Sequence, residues 1–229
     1  NFEDKNFYTK LADKSVFFKN TMPIYKIHQK IFNYIEVEKM EINELRNQYL
    51  ANNNFKPPKS ENYSVGIIPF CSRLSEERKL SLENWSKILK KESNKNPIFY
   101  IFGDKSEHSK AQKFKKHISN LTSLKNIILL TKDYKFSEKI NILNNVNIIY
   151  SIDTGYNHIA RILNKKIYSF WGASDPYLML DENYTSDEKI FYTNLPCSPC
   201  VHRNKKLPCN GDNICMEVDE IIINQKIKK

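Results

Sequence analysis

Asp153-Thr154-Gly155, followed after two residues by His158, brings a carboxylate, a hydroxyl, a bare stretch of backbone and an imidazole together. Apolar residues Ile148 to Ile152 precede them, and a short helical stretch through Asn164 follows. A strand that feeds a helix through a glycine turn presents unpaired backbone N–H groups, and such a turn holds anions. Asp153 or Thr154 can cap the helix, while Gly155 lets a bulky ligand approach the backbone. His158 lies one turn into the helix and can reach the same anion. Arg161 shares its face by i,i+3 spacing. Each has a plainer reading: a capping aspartate, a packed or solvated histidine, a solvated arginine.

The flanking elements must position this turn. Val65 to Phe70, Ile98 to Phe102, Asn126 to Leu130, Ile148 to Ile152 and Ile167 to Phe170 read as buried strands. Helical stretches from Ser81 to Lys91, Ser106 to Ile118 and Ser137 to Asn144 separate them, with Leu82, Trp85, Ile88 and Leu89 on one face of the first. This alternation predicts an α/β fold with a doubly wound parallel sheet, whose ligands sit beyond the carboxyl ends of the strands. Upstream, helices are predicted over 25–37 and 42–50, then a linker at Asn52 to Pro58. With no strands of their own, these helices are expected to pack on something else, such as a further domain. The tail from Val218 to Lys229 reads as a terminal helix.

The 229 residues carry a net charge of +10, which favours anionic partners such as nucleotide phosphates, nucleic acid or an acidic membrane surface. The basic residues are dispersed, and no helix-turn-helix or RNP-like pattern stands out, so a dedicated nucleic-acid role is disfavoured. No apolar run approaches the ~20 residues that span a bilayer. A chain that opens on Asn1 rather than Met reads as part of a longer protein. Four of the five cysteines follow the spacing Cys197-x2-Cys200-x8-Cys209-x5-Cys215. The first pair is a good half-site for tetrahedral zinc or iron, and four thiolates would make any metal structural. Metal, reduced thiols and disulfides stay open, in that order. Cys71 stands alone at a strand end and reads as a small apolar residue.

Asp153 to Ala160, then Phe170-Trp171-Gly172-Ala173-Ser174-Asp175-Pro176, resemble the nucleotide-sugar-binding half of glycosyltransferase family nine, the ADP-heptose:lipopolysaccharide heptosyltransferases. The family pattern is Asp-Thr-Gly, two residues, His-(Leu/Ile)-Ala, then a strand ending in Phe-Gly and a Thr/Ser-Asp-Pro loop. This chain inserts Trp171 before the glycine. Lys79 to Trp85 resembles the family's (Lys/Arg)-Trp-Pro-x-Glu-x-Trp with Trp and Pro replaced. Pro196 to Cys200 and Cys215-Met216 are similar to a cysteine segment found in many members.

The resemblance, covering Ser64 to the end, implies the C-terminal half of a GT-B fold. Residues 61–229 would be a Rossmann-like nucleotide-sugar domain with a Cys-rich segment at 196–216. Residues 1–60 would be the trailing end of the N-terminal domain and the interdomain linker. Most of that first domain, with the acceptor site and the carboxylate base, would then be lacking. The implied reaction is inverting transfer from a nucleoside-diphosphate sugar, ADP-heptose by family default, to a lipopolysaccharide or other surface glycan. It needs no metal for transfer, and it implies a cytoplasmic enzyme that can meet the anionic inner membrane face peripherally. Charge growing on the leaving diphosphate calls for oriented donors and cations. Thr154, Gly155, His158 and Ser72 are the candidates, with a phosphate-contacting cation at Arg78 or Lys79. Glu107 is the implied ribose contact, with Asp104 equally near. The competing reading is a non-catalytic nucleic-acid-binding module with a metal knuckle.

Overall fold

The computed structural model describes residues 26–27, 41–51, 63–71, 73–122, 124–180, 187–201 and 207–217. Ser72, the linker at 52–58, most of the 25–37 helix and the 218–229 tail lie outside the described residues.

Six strands form one parallel sheet: β1 (Ser64–Ile68), β2 (Ile98–Phe102), β3 (Ile127–Leu130), β4 (Ile148–Ile152), β5 (Ile167–Trp171) and β6 (Glu188–Tyr192). Their order is β3-β2-β1-β4-β5-β6. The chain therefore winds outward from β1 to one edge, returns beside β1 as β4, and winds to the other edge. A crevice opens at that reversal, above the carboxyl ends of β1 and β4.

The strand sequences explain why helices cover both faces. Val65, Ile67, Phe99, Ile101, Tyr150 and Ile152 point into one apolar layer, while Ile68, Tyr100, Phe102 and Ile149 point into the other. This is the two-residue alternation of a pleated strand with neither face exposed to water. Helices α2 (Leu82–Lys90) and α3 (His108–Thr122) close the first layer with Trp85, Ile88, Leu89, Phe114 and Ile118. Helices α4 (Phe136–Asn145) and α5 (Gly155–Ile162) close the second with Ile140, Leu143 and Ala160. Ser81 caps α2, its side chain accepting the Asn84 N–H at 3.1 Å.

The upstream helix α1 (Ile42–Ala51) forms as predicted. It does not stand apart from the domain. Tyr49 and Leu50 rest against the second layer, and Arg46 Nε donates to the Ile162 carbonyl at 2.8 Å. Strand β6 escapes the sequence pattern. As an edge strand it buries little besides Phe191, so Glu188 and Lys189 break its apolar run. Trp171, the extra residue before Gly172, simply extends β5 and stands in register with Tyr192. Among the described residues no helix is long and apolar enough to cross a membrane.

Candidate functional site

The crevice at the reversal is a cleft of about 590 Å³. Its floor is the end of β4 and the start of α5. Thr154 occupies the capping position of α5 in an extended conformation, and its side chain makes no capping bond. The helix ladder begins at Asn157, whose N–H donates to the Thr154 carbonyl at 3.0 Å, so the Gly155 and Tyr156 amides lie ahead of it. A Cβ built on Gly155 would meet nothing within 4 Å. Its φ also lies outside the left-handed region, so neither packing nor backbone strain demands glycine there.

Asp153 caps nothing, contrary to its plainer reading. It is 2% exposed and its Oδ2 accepts from Arg78 Nη1 at 3.1 Å, with His158 Nε2 3.7 Å from Oδ1. Burial alone would raise its pKa. The polar groups facing it (His158, Ser174 and Arg78) outweigh burial and hold the carboxyl below its ordinary value. Asp153 thus carries its charge while orienting an arginine and an imidazole beside the open end of α5. The Thr154 hydroxyl is buried there and has no hydrogen-bond partner among the described residues.

Of the predicted residues, Arg78, Glu107, Asp153, Thr154, Gly155 and His158 line this one cleft. Lys79 does not line it. Its Nζ lies 2.5 Å from Glu76 Oε1, and Glu76 also holds Lys110. Arg161, three residues beyond His158 on α5, is not the solvated charge of its plainer reading and does not line the cleft: it is 8% exposed and pairs with Glu188. Ser169 Oγ donates to the other oxygen of Glu188 at 2.6 Å, and Trp171 Nε1 donates to Ser169 at 2.8 Å.

Asp104 and Glu107 stand side by side on the β2 wall. Glu107 Oε2 accepts the Asp104 N–H at 2.8 Å, and burial foremost raises its pKa. Behind them Lys139, unremarked in the sequence, donates to the Gly103 and Thr131 carbonyls at 2.7 and 2.9 Å. That buried lysine ties the ends of β2 and β3 together. Phe136, Tyr156 and Met179 also line the cleft; Tyr156 belongs to the Asp153–Ala160 motif, whereas no motif signalled Phe136 or Met179. Cys71, read as an apolar filler, also borders the cleft and is buried.

The cleft at the sheet reversal thus joins a helix start with unpaired leading amides to an arginine and a histidine gathered around a buried aspartate, a combination whose chemistry suits an anion. The sequence profile of glycosyltransferase family 9 (heptosyltransferase) matches residues 20–210. The chain belongs to this family.

Solved structures share the fold. The E. coli heptosyltransferase WaaC with ADP matches at a TM-score of 0.57 and 12% identity, over 80% of this chain and 54% of that one. WaaC with ADP-2-deoxy-2-fluoro heptose gives 0.55 and 12%, over 80% and 54%. A glycosyl transferase family 9 protein from Veillonella parvula gives 0.54 and 12%, over 77% and 50%. This family 9 chain therefore spans about half the length of these relatives. Among curated proteins none matches it.

The cysteine segment of this family 9 chain packs on the loop after β5. A Cβ on Gly172 would lie 2.7 Å from the Cys215 carbonyl oxygen and 2.8 Å from Cys215 Sγ and Met216 Sδ. The Ala173 carbonyl accepts the Cys200 and Val201 N–H groups at 2.9 and 3.1 Å. Ser174, next in that loop, faces Asp153, so the segment braces the floor of the cleft. None of the five cysteines is joined in a disulfide. Among the described residues no three His, Cys, Asp or Glu side chains are placed to hold a metal ion. Even so, burial first, then the neighbouring Cys200, Cys209 and Cys197 thiols, push Cys215 up to about 11.

Proposed function

We propose that this chain binds the nucleoside-diphosphate sugar of a family 9 transferase, with ADP-heptose the default donor and a lipopolysaccharide or other surface glycan the acceptor. The observation that carries this reading is the uncapped start of α5, opened by Gly155 and flanked by Arg78 and His158. In the proposed reaction an acceptor hydroxyl oxygen bonds to the anomeric carbon from the face opposite the leaving group. The carbon–oxygen bond to the diphosphate breaks with inversion, its electron pair leaves on phosphate, and the hydroxyl proton passes to a base on the acceptor side of the two-domain fold. Here the α5 amides and the two basic side chains take up the charge that grows on the diphosphate. Arg78 Nη1 donates to Asp153 and so stands at the same end of the cleft as the α5 amides. The family placement favours this reading over the nucleic-acid module.

ADP is expected to stabilise the folded chain. At a hundred times its Kd it contributes about 2.7 kcal/mol, a rise of roughly 5–11 °C in Tm for a chain this size. His158→Ala should demand roughly ten- to a hundredfold more ADP for the same shift, because a charge-assisted contact of ~1.5–3 kcal/mol is lost. Thermal melts with ADP, UDP, GDP and CDP test this, and a Tm indifferent to all four would overturn the reading.

A structural zinc or iron on Cys197, Cys200, Cys209 and Cys215 belongs to the same proposal, although the thiols as placed do not converge. Elemental analysis of protein purified without chelator is expected to find about one metal per chain, and chelation should lower Tm. Metal-free protein whose thiols all titrate would remove the metal from the proposal.

A further inference from the structure

Phe136 is the first residue of α4 and is 54% exposed, yet it lies on the wall of the cleft rather than on the outer surface. Its ring is held from behind. The Tyr156 ring lies 6.2 Å away at 38°, and Phe102, fully buried, backs Tyr156 at 5.7 Å. An aromatic face that is fixed on one side and open on the other is a stacking platform.

Its place in the cleft identifies what it would stack. Tyr156 follows Gly155 directly, so the aromatic pair begins one residue from the amides proposed for the diphosphate. The same wall carries the carboxylates of Asp104 and Glu107, with Ser106 between them, which suit the hydroxyl donors of a ribose. Among the described residues the buried Tyr156 hydroxyl has no hydrogen-bond partner. Diphosphate amides, sugar-binding carboxylates and an open aromatic ring border one continuous cleft, as the three parts of a nucleotide require.

We infer that Phe136, backed by Tyr156, is the seat on which the base of the bound nucleoside diphosphate stacks. The inference rests on the donor-binding reading above and adds a residue that governs affinity for the nucleoside. It predicts a division of labour. The start of α5 senses phosphate, whereas Phe136 senses the base alone.

Calorimetry with two probes, ADP and inorganic pyrophosphate, separates these roles. Phe136→Ala should weaken ADP about tenfold, within the range found when a stacking aromatic is removed, and leave pyrophosphate unchanged. Phe136→Trp should restore ADP binding. A side chain this exposed can be truncated without unfolding the domain, which an unchanged Tm verifies. If Phe136→Ala binds ADP as tightly as the wild type, or weakens both probes equally, the stacking seat is overturned while the donor site stands. If the wild-type chain takes neither probe, the donor-binding reading falls and the seat falls with it.

Discussion

Replacing Asp153 by alanine is expected to lower the melting temperature by roughly 6–20 °C. The carboxylate is 2% exposed, and its removal takes the Asp153 ion pair from the Arg78 guanidinium, whose side chain is only 14% exposed. Breaking a buried ion pair from one side costs about 3–5 kcal/mol, because the surviving charge stays desolvated. Asp153→Asn keeps the volume and one acceptor, so its loss should be smaller. In a cycle with Arg78→Met, the double variant should be more stable than the sum of the single losses predicts. Full additivity would show that the contact contributes nothing. The same result bears on any binding assay, since Asp153→Ala is expected to weaken the fold as well as any donor binding, and His158→Ala is the cleaner probe.

The pH dependence follows with a definite sign. The Asp153 carboxyl is held below the ordinary aspartate value of 3.8 in the folded chain. A carboxyl depressed on folding adds stability above its unfolded pKa and loses it as pH falls through the folded value. The gap in urea midpoint between the wild type and Asp153→Asn should therefore be constant near neutrality and close below about pH 4. A gap that persists undiminished at pH 2.5 would mean that the carboxylate charge is not what Arg78 and His158 stabilise.

The sequence made the fold readable because strands buried on both faces leave continuous apolar runs, as at Val65–Phe70 and Ile98–Phe102. Where burial is one-sided that signal fails. Missing β6 and misreading Arg161 are the same error: Glu188, the buried partner of Arg161, lies in the one strand whose polar start hid it. The floor of the site was legible because Asp153 to His158 are contiguous. Its walls were not. Choosing between Arg78 and Lys79 required knowing that Asp153, 75 residues away, accepts from the first. Glu76, only three residues from Lys79, holds the second. Phe136 and Tyr156 look like any core aromatics until the sheet order places them on the open cleft. The cysteine spacing likewise reported four nearby thiols and said nothing of whether they converge.

Gly155→Ala should move stability and binding in opposite directions, which few substitutions in a folded site do. The new methyl meets nothing within 4 Å, and the backbone there is one that alanine adopts freely. Gly to Ala at a compatible site stabilises by about 0.4–1 kcal/mol through the unfolded chain. Tm should therefore hold or rise by roughly 1–4 °C. ADP affinity should fall more than tenfold, since phosphate oxygens must come within about 3 Å of the amide nitrogens and the methyl stands in their approach. Gly155→Val, with two further carbons in that space, should abolish binding while the protein stays folded. Unchanged ADP affinity in both variants would show that no anion approaches the α5 amides, whatever the family does elsewhere. A large loss of stability would show instead that the glycine serves the fold. Among the described residues nothing fills the space beside Gly155, so a loss of ADP affinity without a loss of stability would assign that space to the ligand.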